Sequence, residues 1–425
     1  MSIECIAMIL AGGQGKRLSG LTKDNSKPAI PFAGKYKIID FTLTNCAHSN
    51  LNIIGILTQY QPLKLNSHIG NGSPWGYNSN SDGIFVLPPH SSHDSCEWYK
   101  GTANAIYQNM NFIDQYNPKY VVILSGDHVY KMDYSKLIDF HKQKGGAATI
   151  ATISVPTADA HRFGIIEANN FNEITNFVEK PNIPRSNLAS MGVYVFTTEI
   201  LKRYLMLDEN NTHSKHDFGK NIIPAMMQNN ERLYAYNFDG YWKDVGTINS
   251  YYEANMDALN PDSQLNIDDE NWKIYTRTEA RIPQIIYKNA KVNNSFVTEN
   301  TTVRGIVENS IVSPYVSIEP DVVIKNSIIH NNVIIEKGCI IEDSIISEGA
   351  HIGKNCHIGN TFVETPEFYD EYIDNGLTLV SPNVFICDDV VIGKNSVVSN
   401  DITNMPNDIG GVAIDKTSTR SSNVC

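Results

Sequence analysis

The chain has 425 residues, with 34 Lys and Arg against 46 Asp and Glu, and a formal net charge of −12 at pH 7. This length predicts two or three domains, and the acidic balance excludes general binding to a nucleic-acid backbone, which needs a basic surface. No apolar run approaches the ~18 residues of a membrane span, and the N-terminus has no signal-like region. We therefore expect a cytoplasmic protein with no membrane partner, whose seven scattered cysteines form neither a disulfide framework nor a zinc site.

Three continuous apolar runs, at residues 6–10, 53–57 and 121–124, predict strands that are buried on both faces. Residues 102–116 predict a helix between the last two strands, and residues 150–155 predict a further strand. This alternation is typical of an α/β domain with a mainly parallel sheet. Because ligands of such sheets gather at the carboxyl ends of the strands, we expect functional residues there.

The C-terminal part of the chain follows a period of six residues. Branched apolar residues occupy one phase of this period, which is interrupted once and then resumes: Val316, Val322, Ile328, Ile334, Ile340, Ile346, Ile352, Ile358, Ile386, Ile392 and Val398. Such a pattern predicts a parallel β-helix in which each rung stacks on the next. Residues 361–379 break the period and predict a loop or short helix that leaves the solenoid. The polar residues after 404 predict a mobile tail.

A glycine-rich segment, AGGQGKRL at residues 11–18, follows the first predicted strand. Glycines let the backbone approach phosphates, whose charge successive N–H groups and the Arg17 guanidinium can bind. The segment is neither a Walker A loop nor a GxGxxG pattern, so by itself it is equally consistent with a simple turn. The sequence SKPAIP at 26–31 then supplies Lys27 on a segment stiffened by proline.

The order of strand, GGxGxRL and KP resembles sugar-1-phosphate nucleotidylyltransferases. Motifs along the whole first half resemble the bacterial glucose-1-phosphate adenylyltransferase family (ADP-glucose pyrophosphorylases): LT at 21–22, KPA at 27–29, GKYKIIDF at 34–41, WYKGTA at 98–103, SGDHVY at 125–130, EKP at 179–181, SMGVYVF at 190–196, HDFG at 216–219 and YWKDVGT at 241–247. The resemblance implies a Rossmann-like nucleotidylyltransferase domain at 1–260, a linker at 261–285 and a left-handed β-helix at 286–425.

The resemblance implies an enzyme that transfers the adenylyl group of ATP to glucose 1-phosphate, with Mg²⁺ as cofactor, in the first step of bacterial glycogen synthesis. Asp127 follows a strand at its carboxyl end, where a carboxylate can hold a hard cation or cap a helix. The resemblance favours the metal ligand and adds Asp244 as the second. Arg17 and Lys27 are then expected to steady the triphosphate, and Lys180 to orient the attacking phosphate.

The substrate contacts implied by the resemblance fall into two groups. Glucose 1-phosphate is expected to bind at Tyr99, Gly164, Glu179, Lys180 and Ser190, and ATP at Leu10, Gly12, Gly13, Arg17, Lys27, Gln59 and Gly101. Each has an ordinary alternative, such as a packed tyrosine, a turn glycine or an exposed Glu-Lys pair. The side-chain amide of Gln59 can form paired hydrogen bonds with an adenine edge, although the residue is equally consistent with an ordinary surface glutamine.

Several residues depart from the family pattern in the stretch tied to effector binding. The chain has NSKP at 25–28 where many relatives have RAKP, AGK at 33–35 where many have GGK, and Lys37 where many have Arg. Lys35, Gln59 and Trp98 are candidate regulatory residues, of which Lys35 is equally a solvated loop lysine. The family resemblance also implies a homotetramer, or an assembly with a paralogous regulatory subunit.

Three alternatives remain open at this point. The nucleotide can be UTP, dTTP or GTP instead of ATP, although WYKGTA, SMG and HDFG favour the adenylyl branch. The chain can be a non-catalytic regulatory subunit, although its phosphate-binding residues are present. The β-helix can be an acyltransferase with His330, His351 or His357 as a base.

Overall fold

The computed structural model describes residues 3–77, 83–89, 91–92, 95–96, 98–278, 282–359 and 375–403. The first half contains fifteen strands within these residues: β1 (Cys5–Leu10), β2 (Pro31–Phe32), β3 (Tyr36–Lys37), β4 (Ile53–Leu57), β5 (Gly83–Leu87), β6 (Ser91–Ser92), β7 (Ser95–Cys96), β8 (Tyr120–Ser125), β9 (His128–Tyr130), β10 (Ala148–Ser154), β11 (Gly164–Ala168), β12 (Ile174–Glu179), β13 (Leu188–Thr197), β14 (Leu233–Asn237) and β15 (Trp242–Asp244). They include the four strands predicted from the sequence at residues 6–10, 53–57, 121–124 and 150–155.

The central sheet has nine strands, with the path β12-β11-β13-β8-β1-β4-β5, while β10 pairs with β13 and β14 pairs with β10. Strands β8, β1, β4 and β5 run parallel, whereas β13 is antiparallel to β8. Strand β1 shows why its sequence is continuously apolar. Ile6 and Met8 join the core on one face of the sheet, and Ala7 and Ile9 join the core on the other. The structure confirms the predicted α/β fold.

Eight helices cover this sheet in the described residues: α1 (Ile38–His48), α2 (Pro62–Ile69), α3 (Thr102–Gln108), α4 (Met110–Tyr116), α5 (Tyr134–Lys144), α6 (Thr198–Glu209), α7 (Ile223–Gln228) and α8 (Ile248–Leu259). The single helix predicted at 102–116 is wrong in one respect, because it is broken at Asn109 into α3 and α4. The side chain of Asn109 explains the break, since its amide donates to Ala105 O and to the hydroxyl of Tyr99.

The C-terminal half is a parallel β-helix built from three six-stranded sheets. The first contains β16 (Ile285–Ile286), β19 (Thr302–Val303), β22 (Ser317–Ile318), β25 (Ile334–Ile335), β28 (His351–Ile352) and β31 (Phe385–Ile386). The second contains β17 (Lys291–Asn293), β20 (Ile306–Glu308), β23 (Val323–Lys325), β26 (Ile340–Glu342), β29 (His357–Ile358) and β32 (Val391–Ile392). The third contains β18 (Phe296–Val297), β21 (Ile311–Val312), β24 (Ile328–Ile329), β27 (Ser344–Ile346), β30 (Thr378–Val380) and β33 (Val397–Val398).

The stacked core differs from the predicted phase upstream of Ile346. Ile334 is 44% exposed, and its neighbour Ile335 points inward instead. Ile318, Ile335 and Ile352 stack in register at intervals of 17 residues, so a coil is one residue shorter than three hexapeptides. The shortened turn of each coil contains a residue in the left-handed conformation, such as Asn326 with φ 45°. This conformation turns the chain more tightly. The period of six was therefore correct for the fold and wrong for Ile328, Ile334 and Ile340, since Ile329 takes the place of Ile328 in the core of the β-helix and Ile328 packs against the sheet domain.

Two sequence predictions fall outside the described residues. The expected loop or helix at 361–379 lies mostly within residues 360–374, and the polar tail begins at residue 404. Strand β30 shows where the solenoid resumes, because Thr378 pairs with Ser344 of the preceding coil. The interruption therefore ends slightly earlier than the sequence predicted.

The two halves share one hydrophobic cluster. Side chains from the sheet domain and the β-helix pack together in it, including Leu18, Phe32, Phe41, Tyr251, Ile328, Ile345 and Leu379. Polar contacts add to this packing: the Tyr252 hydroxyl donates to Asn326 O at 2.7 Å, and Lys64 pairs with Glu348 at 2.9 Å. The β-helix is thus anchored against α8 and α2.

Burial lowers the pKa of His141 to about 4, from an ordinary value of 6.5. Between these values the unfolded chain binds a proton at this residue that the folded protein does not. The free energy of unfolding should therefore fall by up to about 3 kcal/mol as the pH drops from 6.5 to 4. Urea unfolding across this range should show a shallower pH dependence for His141→Gln. The exposed His161→Gln serves as control, and equal slopes for wild type and His141→Gln would contradict the assignment.

Candidate active site

The glycine-rich loop begins where β1 ends. The Ala11 N–H donates to Leu57 O at 3.0 Å, which ties the start of the loop to the end of the neighbouring strand β4. A Cβ on Gly12 would lie 3.2 Å from Cβ of Gln59, so glycine permits the close approach of these two segments. The loop then turns at Gly15, whose φ is 63°. The start of the loop and Gln59 consequently lie side by side.

A cavity of about 270 Å³ opens beneath this loop at the carboxyl ends of β1, β4 and β8. Its lining includes six of the seven residues expected to bind ATP, with two further predicted site residues: Leu10, Gly12, Gly13, Lys27, Gln59, Gly101, Tyr99 and Asp127. Gly101 packs closely against the backbone of His216. A Cβ at this position would lie 2.4 Å from His216 O, so only glycine fits there. The cavity lies where ligands bind in sheets of this kind.

Tyr99 lies in this cavity, apart from the other residues expected to contact the sugar phosphate. Its hydroxyl donates to Leu87 O at 2.9 Å and accepts from Asn109 Nδ2 at 3.0 Å. Burial raises the pKa of Tyr99 to about 12, so the phenol stays protonated. Its hydroxyl is therefore engaged by the protein, and its ring forms part of the cavity wall.

Lys27 lies between two carboxylates from distant parts of the chain. Its Nζ is 2.8 Å from Oδ2 of Asp127 and 2.9 Å from Oδ1 of Asp244. Burial disfavours the ammonium form, but the two carboxylates together outweigh it and raise the pKa of Lys27. Burial also opposes ionisation of Asp127, yet Lys27 and then His128 lower its pKa, and the pKa of Asp244 is lowered as well. All three groups are therefore charged at neutral pH.

The backbone explains how the two aspartates meet. Asp127 follows β8 directly, and its Oδ1 accepts a hydrogen bond from the Ser125 hydroxyl. Strand β9 pairs antiparallel with β15, which places Asp244 opposite His128. These pairings hold the two carboxylates rigidly on one side of the cavity.

His128 is a residue of the site that the sequence reasoning missed. Its Nε2 is 3.5 Å from Oδ1 of Asp127 and 3.8 Å from Oδ1 of Asp244, and the three groups together have the spacing of a metal site. The signal was its position directly after Asp127 in SGDHVY. The carboxylate oxygens of Asp127 and Asp244 are donors that Mg²⁺ prefers, so the residues present fit this ion.

Arg17 lies beside Asp244 on the open side of the site. A Cβ on Gly246 would be 3.0 Å from the Arg17 Nη2 and 2.9 Å from Asp244 Oδ1, so only glycine leaves room for both. The Arg17 side chain is exposed, which leaves its guanidinium accessible to a ligand.

The remaining residues expected to bind the sugar phosphate cluster around Glu179. Gly164 pairs with Glu179 across β11 and β12, and a Cβ on Gly164 would lie 2.8 Å from Glu179 Oε2. Burial raises the pKa of Glu179. Lys180 follows with φ 49°, and its exposed Nζ lies 3.7 Å from Glu179 Oε1. The structure thus brings together a carboxylate and a cation suited to a sugar and a phosphate.

Ser190 connects this cluster to the carboxylates. Its hydroxyl lies 3.5 Å from the hydroxyl of Tyr194 and accepts from the Gly192 N–H at 3.4 Å. A Cβ on Gly192 would lie 3.6 Å from His128 Cε1. Strand β13 therefore passes from the Glu179 cluster to the candidate metal ligands Asp127, His128 and Asp244.

The candidate regulatory residues lie in three environments. Gln59 lines the cavity beneath the glycine-rich loop, whereas the exposed Trp98 stacks on Tyr60 with ring centroids 5.6 Å apart. Lys35 lines a second cavity of about 610 Å³ between the two halves, together with Lys37, Lys64, Arg277 and residues of the β-helix. The second cavity is therefore basic, although the chain as a whole is acidic.

The three histidines proposed as acyltransferase bases do not form one site. His330 is buried against Tyr251, and His351 pairs with Glu336 at 2.8 Å. His357 is half-buried on the following strand β29, so the three histidines lie in separate environments.

The mixed sheet, the glycine loop and the paired carboxylates define a nucleotidyltransferase, and the nucleotidyl transferase family model matches residues 6–261. A second model, for the GlmU-like C-terminal hexapeptide, matches residues 284–380. Glucose-1-phosphate adenylyltransferases of Clostridium botulinum (strain Alaska E43) and Bacillus subtilis are 53% and 52% identical to this chain over 75% of its length, covering 83% and 84% of theirs. That of Clostridium beijerinckii is 55% identical over 74% of this chain and 82% of its own length.

The chain belongs to the glucose-1-phosphate adenylyltransferase family, which confirms the resemblance drawn from its motifs. It is accordingly a nucleotidyltransferase enzyme. None of the helices in the described ranges is long and apolar enough to cross a membrane.

Proposed function

We propose that this chain catalyses Mg²⁺-dependent transfer of the adenylyl group of ATP to α-D-glucose 1-phosphate, giving ADP-glucose and pyrophosphate, in the first step of bacterial glycogen biosynthesis. The observation that carries the proposal is the Lys27, Asp127 and Asp244 cluster at the edge of the nucleotide cavity. The names of its relatives support the choice of substrates.

The reaction is a direct displacement at the α-phosphorus of ATP. A phosphate oxygen of glucose 1-phosphate forms the new bond to that phosphorus, the bond to the β-phosphate oxygen breaks, and pyrophosphate leaves. Lys27 and Arg17 hold the triphosphate and the leaving group, because Lys27 lines the cavity and the exposed Arg17 lies beside Asp244. Lys180 holds the attacking phosphate, and Glu179 accepts sugar hydroxyls. Catalysis is then positioning and charge neutralisation, with no covalent enzyme intermediate.

Asp127 and Asp244 are the residues that would hold Mg²⁺, with the ring of His128 beside them. The bound ion would neutralise phosphate charge in the transition state. Since Lys27 contacts both carboxylates, we infer that its ammonium group and the metal balance the same negative charge.

Turnover with ATP, UTP, dTTP and GTP, measured as pyrophosphate release from the purified chain with Mg²⁺ and glucose 1-phosphate, tests the proposal. We expect ATP to be strongly preferred. Equal turnover with UTP would overturn the choice of nucleotide. Absence of pyrophosphate from the chain alone would favour the second candidate, a regulatory subunit that requires a catalytic paralogue.

We propose that the chain works in the cytoplasm as a homotetramer, or together with a paralogous regulatory subunit. We also propose that the basic cavity around Lys35 takes an anionic effector, because four cations converge there. A screen of turnover against phosphorylated and carboxylate intermediates of glycolysis tests for such an effector.

Replacement of Lys180 by Ala should raise the KM for glucose 1-phosphate roughly tenfold to a hundredfold, because a charged hydrogen bond to phosphate is lost. The KM for ATP should stay the same. The control is Arg185→Ala, which removes an exposed cation five residues away. A change confined to ATP in Lys180→Ala would refute the assignment.

A further inference from the structure

The segment from Lys27 to Lys37 is a hairpin that carries the central cation of the site at one end. Strands β2 and β3 pair within it, and the Ile38 N–H closes it on Ile30 O at 3.2 Å. The turn runs through Ala33 and Gly34, both with positive φ. We call residues 27–37 the Lys27 hairpin. A Cβ on Gly34 would lie 3.0 Å from Thr298 Cγ2 and 3.3 Å from Ile311 Cγ2, so the turn packs closely against the β-helix.

Helix α8 holds this hairpin by hydrogen bonds from two buried side chains. The Tyr251 hydroxyl donates to Pro31 O, and Asn255 Oδ1 accepts from the Ala33 N–H at 2.8 Å. Both side chains are fully buried, so water does not compete for these contacts. The same helix starts at Ile248, four residues after Asp244. Tyr251 therefore joins the two chain segments that supply Lys27 and Asp244.

The β-helix in turn holds Tyr251. His330 follows β24, is 3% exposed, and has its Nε2 2.9 Å from the Tyr251 hydroxyl. Since the tyrosine proton is directed to Pro31 O, the imidazole Nε2 must be the donor to Tyr251. The chain His330, Tyr251, Pro31 thus runs from the β-helix through α8 to the Lys27 hairpin.

We propose that Tyr251 and His330 are positioning residues for the transfer reaction, through which the β-helix sets the place of Lys27 between the two aspartates. The inference rests on the proposed function, in which Lys27 holds the triphosphate. The β-helix thereby contributes to catalysis, although none of the candidate site residues described above belongs to it.

Tyr252 provides a matched control on the neighbouring position of the same helix. Its hydroxyl donates a hydrogen bond to Asn326 O of the β-helix, and this hydrogen bond does not involve the Lys27 hairpin. Removal of either hydroxyl should lower stability by a similar amount, because each leaves one acceptor or donor of the interface without its partner. Only removal of the Tyr251 hydroxyl should affect Lys27.

The experiment compares Tyr251→Phe, Tyr252→Phe, His330→Phe and His330→Gln in the full chain, with kcat, both KM values and thermal unfolding measured for each. Tyr251→Phe and His330→Phe should lower kcat about tenfold, as expected for one lost positioning hydrogen bond, with the KM for glucose 1-phosphate within about twofold. Tyr252→Phe should keep the wild-type kcat. His330→Gln should recover most of the loss, because its amide can donate to the Tyr251 hydroxyl.

Equal kcat for Tyr251→Phe and Tyr252→Phe would overturn the inference, as would a His330→Gln variant as slow as His330→Phe. If His330→Phe does not fold, Tyr251→Phe still tests the inference, because it removes only one oxygen atom. Lys27→Met, measured in parallel, separates this inference from the proposed function. Absence of turnover in the wild-type chain would refute the proposed function, and wild-type turnover in Lys27→Met would refute the part of Lys27 in it. An inactive Lys27→Met beside a normal Tyr251→Phe would refute only the positioning role.

Discussion

Replacement of Asp127 by Asn will lower turnover by roughly two to three orders of magnitude, the range seen when one preorganised electrostatic group is removed from a site. The amide has the shape of the carboxylate but carries no charge, so it is a poor ligand for Mg²⁺. The fold should survive, because Asp244 still neutralises Lys27 at 2.9 Å. Pyrophosphate release and the thermal unfolding midpoint measure the two effects separately.

Two further measurements make this result specific to the metal. Asp239→Asn changes an exposed aspartate in the same half and should keep wild-type turnover. Binding of Mn²⁺ in the presence of ATP, followed by electron paramagnetic resonance, should weaken in Asp127→Asn and stay unchanged in Asp239→Asn. Turnover of Asp127→Asn within a few-fold of wild type would refute Asp127 as a ligand.

Replacement of Lys27 by Met will lower both turnover and stability. The ammonium group is the shared partner of Asp127 and Asp244, and its side chain is 6% exposed. Without it two partly buried carboxylates remain side by side. Loss of one partner costs about 3–5 kcal/mol in a fully buried ion pair, and we expect a smaller loss here because solvent reaches Asp127. Turnover should fall by orders of magnitude, because the triphosphate loses a direct contact. Urea unfolding and pyrophosphate release check the two expectations.

The double variant Lys27→Met with Asp127→Asn separates charge balance from catalysis. It should regain part of the lost stability, because only one buried carboxylate remains without a cation, while turnover stays low. Lys23→Met, an exposed lysine four residues earlier, should match wild type in both measurements. A Lys27→Met variant as stable as wild type would mean that the carboxylates are neutralised in another way.

Much of the fold was predictable because it depends on local sequence. The apolar run at residues 6–9 requires a strand with a core on each face, and the structure has two cores there. The glycine loop and the period of six were equally visible. Prediction failed where a side chain competes with the backbone, as at Asn109, whose amide bonds end α3. It also failed in the β-helix, where a coil of 17 residues and not 18 shifts the inward-facing position, so that Ile335 and not Ile334 faces the core.

The sequence by itself determined the fold class, the family and the residue types at the candidate site, because these follow from apolar periodicity and from motifs read along the chain. Only the tertiary structure decided which charges meet. Lys27 lies 100 residues from Asp127 and 217 from Asp244, and their contacts depend on the pairing of β9 with β15 and on a hairpin held by α8. No local pattern encodes such contacts, because they arise when long-range packing of the sheet, helix and β-helix buries the charged groups together. The net charge of −12 therefore did not reveal a pocket in which a buried lysine joins two aspartates.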